Sequence, residues 1–162
     1  MMSFNKKERV LISFIIVAVL VRLIPHPPNV APITAVALFT GTHFSRKHWA
    51  MLMPILAMLV TDVFLGFSMI TPIVYLAFLG ITSLGFVLKK VNIGTVLLSS
   101  LLFFAVTNLG VWFLYYPLTP EGFITCFTLA LPFFGYAVVG DLFFSAALLF
   151  GYRYAAKRFQ LV

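Results

Sequence analysis

The basic residues of this chain fall in four clusters separated by long apolar stretches, and that alternation restricts its fold more than any other feature. The clusters are Lys6, Lys7 and Arg9; Arg46 and Lys47; Lys89 and Lys90; and Arg153, Lys157 and Arg158. They hold ten of the eleven Lys and Arg residues. Loops on the cytoplasmic side of a membrane carry the excess of Lys and Arg, so a chain that keeps all four clusters on one side must cross an even number of times between them. Two crossings per interval predict a bundle of six transmembrane helices with both termini cytoplasmic, an all-α integral membrane protein. The segments assigned to the outer side are nearly free of positive charge: residues 67–70 have none, and residues 116–121 carry only Glu121. Arg22 is the one exception.

Composition supports the same reading. With 62% apolar and 9% charged residues, the chain has too little polar surface to coat a soluble globule. The net charge of +7 is accounted for by topology and calls for no nucleic acid. A length of 162 residues accommodates six spans of about 20 residues as one domain, without room for a soluble catalytic or nucleotide-binding module. The basic start followed by the apolar run Val10 to Val21 has the form of a signal peptide. Arg22, Pro25 and the lack of a small-residue cleavage site predict that it is retained as the first helix. Cys126 is the only cysteine, which excludes an intramolecular disulfide and a multi-cysteine metal site. No cofactor or metal is expected.

Along the chain, helices are predicted from Arg9 to Leu23, Ala31 to His43, His48 to Phe67, Thr71 to Leu88 and Gly94 to Tyr115. The first ends at three prolines in Pro25-His26-Pro27-Pro28, which remove backbone donors. The second is short for a hydrocarbon core of about 30 Å, so a partly re-entrant segment is an alternative to a full crossing. Thr71 followed by Pro72 fits an N-cap and first helical position. The last apolar stretch, Phe123 to Tyr152, is too long for one span, and Pro132 is expected to divide it into a short outer segment and a helix from Phe133 to Phe159. Trp49 is expected at the inner boundary, and Trp112, Tyr115 and Tyr116 at the outer one.

Function is sought in the few polar groups within these spans, because a charge there costs roughly 2.5–3.5 kcal/mol on insertion scales and faces a cavity or a partner. Asp62 and Asp141 qualify. Asp62, Asn108, Arg22, His26 and Asn29 are all expected in the outer half of the bundle, with Asp141 nearer the midplane as a floor. That arrangement reads as a pocket open to the outside. Each residue also has a structural reading. Asp62 can simply bond a backbone or Arg22, Asp141 can pair with Asn108 or Thr107 across a helix contact, and Arg22 can snorkel to headgroups. His26 lacks a second ligand at metal-binding spacing. His43 and His48 fit the inner interface, and Cys126 fits a small buried apolar residue.

Several short motifs carry a resemblance. Arg22-x3-His26-Pro27-x-Asn29-x2-Pro32-x2-Ala35-x-Ala37-Leu38-Phe39-x-Gly41 and Thr61-Asp62-x2-Leu65-Gly66 are the first. Thr107-Asn108-x-Gly110-Val111-Trp112, Tyr116-Pro117-x-Thr119-x2-Gly122, Leu131-Pro132-Phe133-Phe134 and Gly140-Asp141-Leu142 follow. From Arg22 to Leu142 the chain resembles an uncharacterised bacterial family of small membrane proteins described as transport proteins. That family in turn looks like a relative of the S components of energy-coupling-factor vitamin transporters, six-helix proteins that capture a vitamin from the outer side. The resemblance implies a multi-pass protein of the bacterial cytoplasmic membrane, surrounded by lipid. Its partners would be a small-molecule solute and either energy-coupling transmembrane and ATPase subunits or further copies of itself. It departs from the S components in one respect: their docking motif Ala-x3-Ala in helix 1 is missing, since Ala18 has no partner four residues away. The stripe Ala147, Gly151 and Ala155 is the better candidate for close helix approach, either to a partner or within the chain.

The expected function is therefore binding and transport of a small polar or amphipathic solute, a vitamin or cofactor precursor, without enzymatic activity. Arg22 and His26 would meet anionic or accepting groups, and Asn29, Asp62, Asn108 and Asp141 would complete the site. A structural or assembly subunit is one alternative. The other is an intramembrane aspartate enzyme in which two carboxylates share a proton, to which Gly140-Asp141 lends only half of a Gly-x-Gly-Asp motif, position 138 being Val.

Overall fold

A computed structural model describes residues 5–25 and 30–160 of the chain. His26 and Asn29 lie outside the described residues. Those described form six helices and no strand: α1 (Lys6–Leu23), α2 (Ile33–His43), α3 (Lys47–Leu65), α4 (Thr71–Leu88), α5 (Ile93–Tyr115) and α6 (Pro120–Phe159). Helices α3 to α6 are each long and apolar enough to cross a membrane, and the chain reads as an all-α, membrane-embedded protein. Their outward faces are large and apolar, with Val63, Phe64, Phe113, Val139 and Phe143 all exposed. Helix α1 carries Lys6, Lys7, Glu8, Arg9 and Arg22. Helix α2 has 11 residues, a length of about 16 Å at about 1.5 Å per residue.

Helix α2 is the centre of the bundle. Every residue from Ile33 to Gly41 is buried, and the helix touches all five others. A helix that is apolar all round belongs in an interior, and its small residues permit close approach. The tightest approach is to α4, where Gly41 meets Gly85. A Cβ on Gly41 would lie 2.2 Å from the Thr82 carbonyl oxygen, and one on Gly85 would lie 2.8 Å from that of Leu38. The obstacles are backbone atoms, so neither helix can yield by moving a side chain.

Local chemistry explains where the helix ends depart from expectation. Helix α1 starts at Lys6 because Asn5 and Glu8 form a capping box: the Asn5 side chain accepts from the Glu8 N–H at 2.7 Å, and the Glu8 carboxylate accepts from the Asn5 N–H at 3.2 Å. Helix α5 begins with the same device, Asn92 exchanging bonds with Thr95. Thr71 is the first residue of α4 and not its cap. Its hydroxyl instead accepts from the Ser68 N–H at 3.0 Å, in the turn that Gly66 opens with φ +95°.

Pro132 does not divide the last apolar stretch; α6 runs unbroken through it for 40 residues. The proline forfeits one ladder bond, to the Thr128 carbonyl, whereas breaking the helix would strand several polar groups where no water can reach them. Pro54 is likewise internal to α3. Near the end of α6, Gly151 is in contact with Phe14 of α1, whose ring a Cβ would meet at 2.9 Å. Lys6 Nζ donates to the Phe159 carbonyl at 2.7 Å. Gly151 of the small-residue stripe thus serves packing within the chain, Ala155 is buried and Ala147 is exposed.

The α2–α4 contact yields a first prediction. Gly85→Ala forces two backbones apart and is expected to cost about 2 kcal/mol or more, read as a lower melting temperature of the detergent-purified protein. Gly135→Ala, with nothing within 4 Å of the new Cβ, is the matched control and leaves it unchanged or raised.

Candidate functional site

The last turn of α1 faces the last turn of α3, and this brings Arg22 to Asp62. Arg22 Nη2 lies 2.8 Å from Asp62 Oδ1, with both side chains largely buried. The other guanidinium arm donates to the Thr61 hydroxyl and to the Met58 carbonyl at 3.5 Å. Thr61 can accept that bond because its own hydrogen goes back along α3, to Ala57 or Met58 carbonyls at 3.0 and 2.9 Å. The second carboxylate oxygen of Asp62 accepts from the Tyr75 hydroxyl of α4 at 2.9 Å. Both oxygens are thus occupied, which is the condition for keeping a charged pair out of water without a large desolvation cost.

This cluster opens on a cavity of about 310 Å³. Arg22, Asp62 and Thr34 supply polar walls, Ser68 and Thr71 of the α3–α4 turn line it, and Phe78 and Phe103 are among its apolar walls. A second cavity of about 210 Å³ adjoins it, sharing Val74, Phe103 and Ala137 as common walls. Asn108, Thr107 and Ser100 line the second, among Phe104, Phe133 and Phe134. The Asn108 amide donates to its own helix, at the Phe104 carbonyl, 2.8 Å away.

Asp141 lines neither cavity. It is 2% exposed, and its Oδ2 accepts from the Ser100 hydroxyl at 2.7 Å, with Thr34 a second side-chain partner. It does not pair with Asn108 or Thr107, because antiparallel packing sets it level with Ser100, about two turns along α5 from Asn108. Gly140 lets Val30 pack close beside it, since a Cβ there would lie 3.1 Å from a Val30 methyl. Of the six residues expected at the site, Arg22 and Asp62 are therefore bonded in one cavity and Asn108 lines its neighbour. Asp141 lies next to the walls of both, and His26 and Asn29 are outside the described residues. The two aspartates have separate partners.

Sequence reasoning missed Tyr75, Thr61, Thr34 and Ser100. Tyr75 had a signal: Asp62 lies three residues before the end of α3 and Tyr75 four after the start of α4, so a tight antiparallel turn sets them level. The hydroxyl residues had none, since Ser and Thr in apolar helices also bond their own backbone, as Thr82 and Ser99 do here.

The pairing predicts non-additive mutations. Arg22→Met alone leaves the buried Asp62 carboxylate without its cation and should cost about 3–5 kcal/mol. Arg22→Met combined with Asp62→Leu should recover much of that loss in a denaturation series. Tyr75→Phe, which removes one donor, should cost about 1–2 kcal/mol.

No curated protein and no solved structure matches the chain. Residues 2–162 match the model of DUF6580, described as a family of unknown function, and the chain therefore belongs to that family.

Proposed function

We propose that the protein is a membrane transport protein of the S-component type, which captures a small solute from the outer side of a bacterial cytoplasmic membrane. The observation that carries this reading is the Arg22–Asp62–Tyr75 cluster, a compensated charge set in the wall of a cavity of about 310 Å³. A few fixed polar groups within apolar and aromatic walls are what small-molecule sites have in common, and the volume is at the small end of their range. The first turn of α2, which no side chain caps, adds backbone donors at the cavity wall for an accepting group on the solute.

Sidedness follows from the basic clusters, which a cytoplasmic location holds on one face. Six crossings satisfy that rule. So does a bundle in which the short α2 is partly re-entrant, since Arg22 in the last turn of α1 lies level with Asp62 in the last turn of α3 and α1 thus reaches as deep as α3. Either way the termini are cytoplasmic and the α3–α4 turn at the cavity mouth faces outward. Energy-coupling transmembrane and ATPase subunits would need a docking surface other than Gly151, which Phe14 already covers.

The test is the melting temperature of the detergent-purified protein against a panel of vitamins and cofactor precursors. A ligand at about 100 times its dissociation constant adds about 2.7 kcal/mol. A saturable rise is expected for one chemical class, and Ala137→Leu, which extends a side chain from the shared wall while sparing every charge, should abolish it. No rise for any compound, or a rise that Ala137→Leu leaves intact, would remove the cavity as the solute site.

A further inference from the structure

Asp141 is a second buried carboxyl group, and it is solved differently from Asp62. Among the described residues, the only ion pair is that of Arg22 with Asp62; the hydrogen-bond partners of Asp141 are hydroxyl side chains, Ser100 of α5 and Thr34 of α2. The charged and titratable groups on the helices packed against α6 are engaged or remote. On α1, Arg22 is held by Asp62 and Thr61, Lys6 by the Phe159 carbonyl, and Lys7, Glu8 and Arg9 lie in the first turns, at the opposite end from Arg22. On α2, His43 bonds the Phe39 carbonyl, nine residues beyond Thr34. Helix α5 carries no charged side chain, and its Tyr115 is at the far end. On α6 itself, Glu121, Cys126 and Tyr136 precede Asp141, and Tyr152, Arg153, Tyr154, Lys157 and Arg158 follow it by eleven residues or more.

An isolated carboxylate so enclosed is far less stable than a neutral acid. The hydrogen-bond geometry accommodates both forms. Ser100 has one hydrogen and two acceptors within reach, Asp141 Oδ2 at 2.7 Å and the Val96 carbonyl at 3.1 Å. When Asp141 is ionised, Ser100 donates to it. When Asp141 is protonated, the acid donates to Ser100, and Ser100 turns its own hydrogen to Val96. Access exists on both sides, since Thr34 lines the first cavity, Ser100 the second, and Ala137, one turn before Asp141, lines both.

We propose that Asp141, with Ser100 and Thr34, is an exchangeable proton site reached from the two cavities, whose protonation decides how α2, α5 and α6 are tied together. The proposal deepens the transport reading by making the proton a coupling ion, and rests on that reading only for what the proton drives. Its test contains no solute: infrared difference spectroscopy of the full chain in lipid vesicles, perfused with acidic and then alkaline buffer at constant sodium. A protonated-carboxyl C=O band that disappears at alkaline pH is expected. It should be lost in Asp141→Asn, retained in Glu8→Gln, which removes a different buried carboxyl, in the first turn of α1, and moved to higher frequency in Ser100→Ala, which keeps the acid and deletes its partner. Asp141→Asn preserves shape and donor capacity, so it should fold. Absence of the band, its persistence in Asp141→Asn, or its loss on adding sodium at fixed acidic pH would overturn the proposal, the last by identifying a metal cation in place of the proton. Failure of the solute panel would leave this result standing.

Discussion

Everything in this fold is arranged around a helix that is too short. Helix α2 is enclosed on all sides, its nine residues from Ile33 to Gly41 buried and its backbone pressed against α4 at Gly41 and Gly85. At about 16 Å it reaches only about half of a hydrocarbon core of about 30 Å. The longer helices around it continue past its Ile33 end, and the interior beyond that end is not filled by α2. The larger cavity lies there, walled by Ala31, Ile33 and Thr34 of the α2 start and by Leu65, Gly66, Ser68 and Thr71 of the α3–α4 turn. Tight packing at one end of the bundle and open space at the other are thus two results of one helix length.

The two intramembrane aspartates show two ways of tolerating a carboxyl group away from water. At Asp62 the carboxyl group is answered by a guanidinium on one oxygen and a phenol on the other. At Asp141 the surrounding groups are hydroxyls that can reverse their donor and acceptor roles. A compensated pair fixes geometry and polarises a cavity, whereas a reversible hydroxyl set suits a group that changes state. On the proposed reading, their division between the wall of the cavity and the layer behind it separates recognition from switching within one small bundle.

How much of this was legible in the sequence depends on which physical signal wrote it. Helix α4 was readable at both ends because Pro72 and the Lys89-Lys90 pair bound an unbroken apolar run. The start of α1 was missed although Asn5 and Glu8 spell a capping box, because the basic cluster masked it. Pro132 misled for a physical reason: proline breaks helices in water, where a freed carbonyl is easily solvated, and is carried through them in an apolar surround. The approach of Arg22 to Asp62 was foreseeable from the scarcity of charge. The burial of α2 was only half legible, since its apolar and small residues describe an interior helix and a lipid-facing one equally well. The placement of Ser100 and Thr34 beside Asp141 depends on helix register, which composition does not encode.

The length of α6 carries a mechanical consequence. Forty residues make a rod of about 60 Å, roughly twice the hydrocarbon thickness, and Asp141 lies near its middle. Between Asp141 and Phe159 the rod extends about 27 Å, ending in Arg153, Lys157 and Arg158. A tilt of about 10° pivoting at Asp141 would sweep that basic tip through about 5 Å, as follows from the helix rise. Because Gly151 seats Phe14 and Phe159 holds Lys6, α1 would be carried along with it. A rearrangement no larger than a rotating hydroxyl could in this way be read out at the membrane surface as a displacement the size of a side chain.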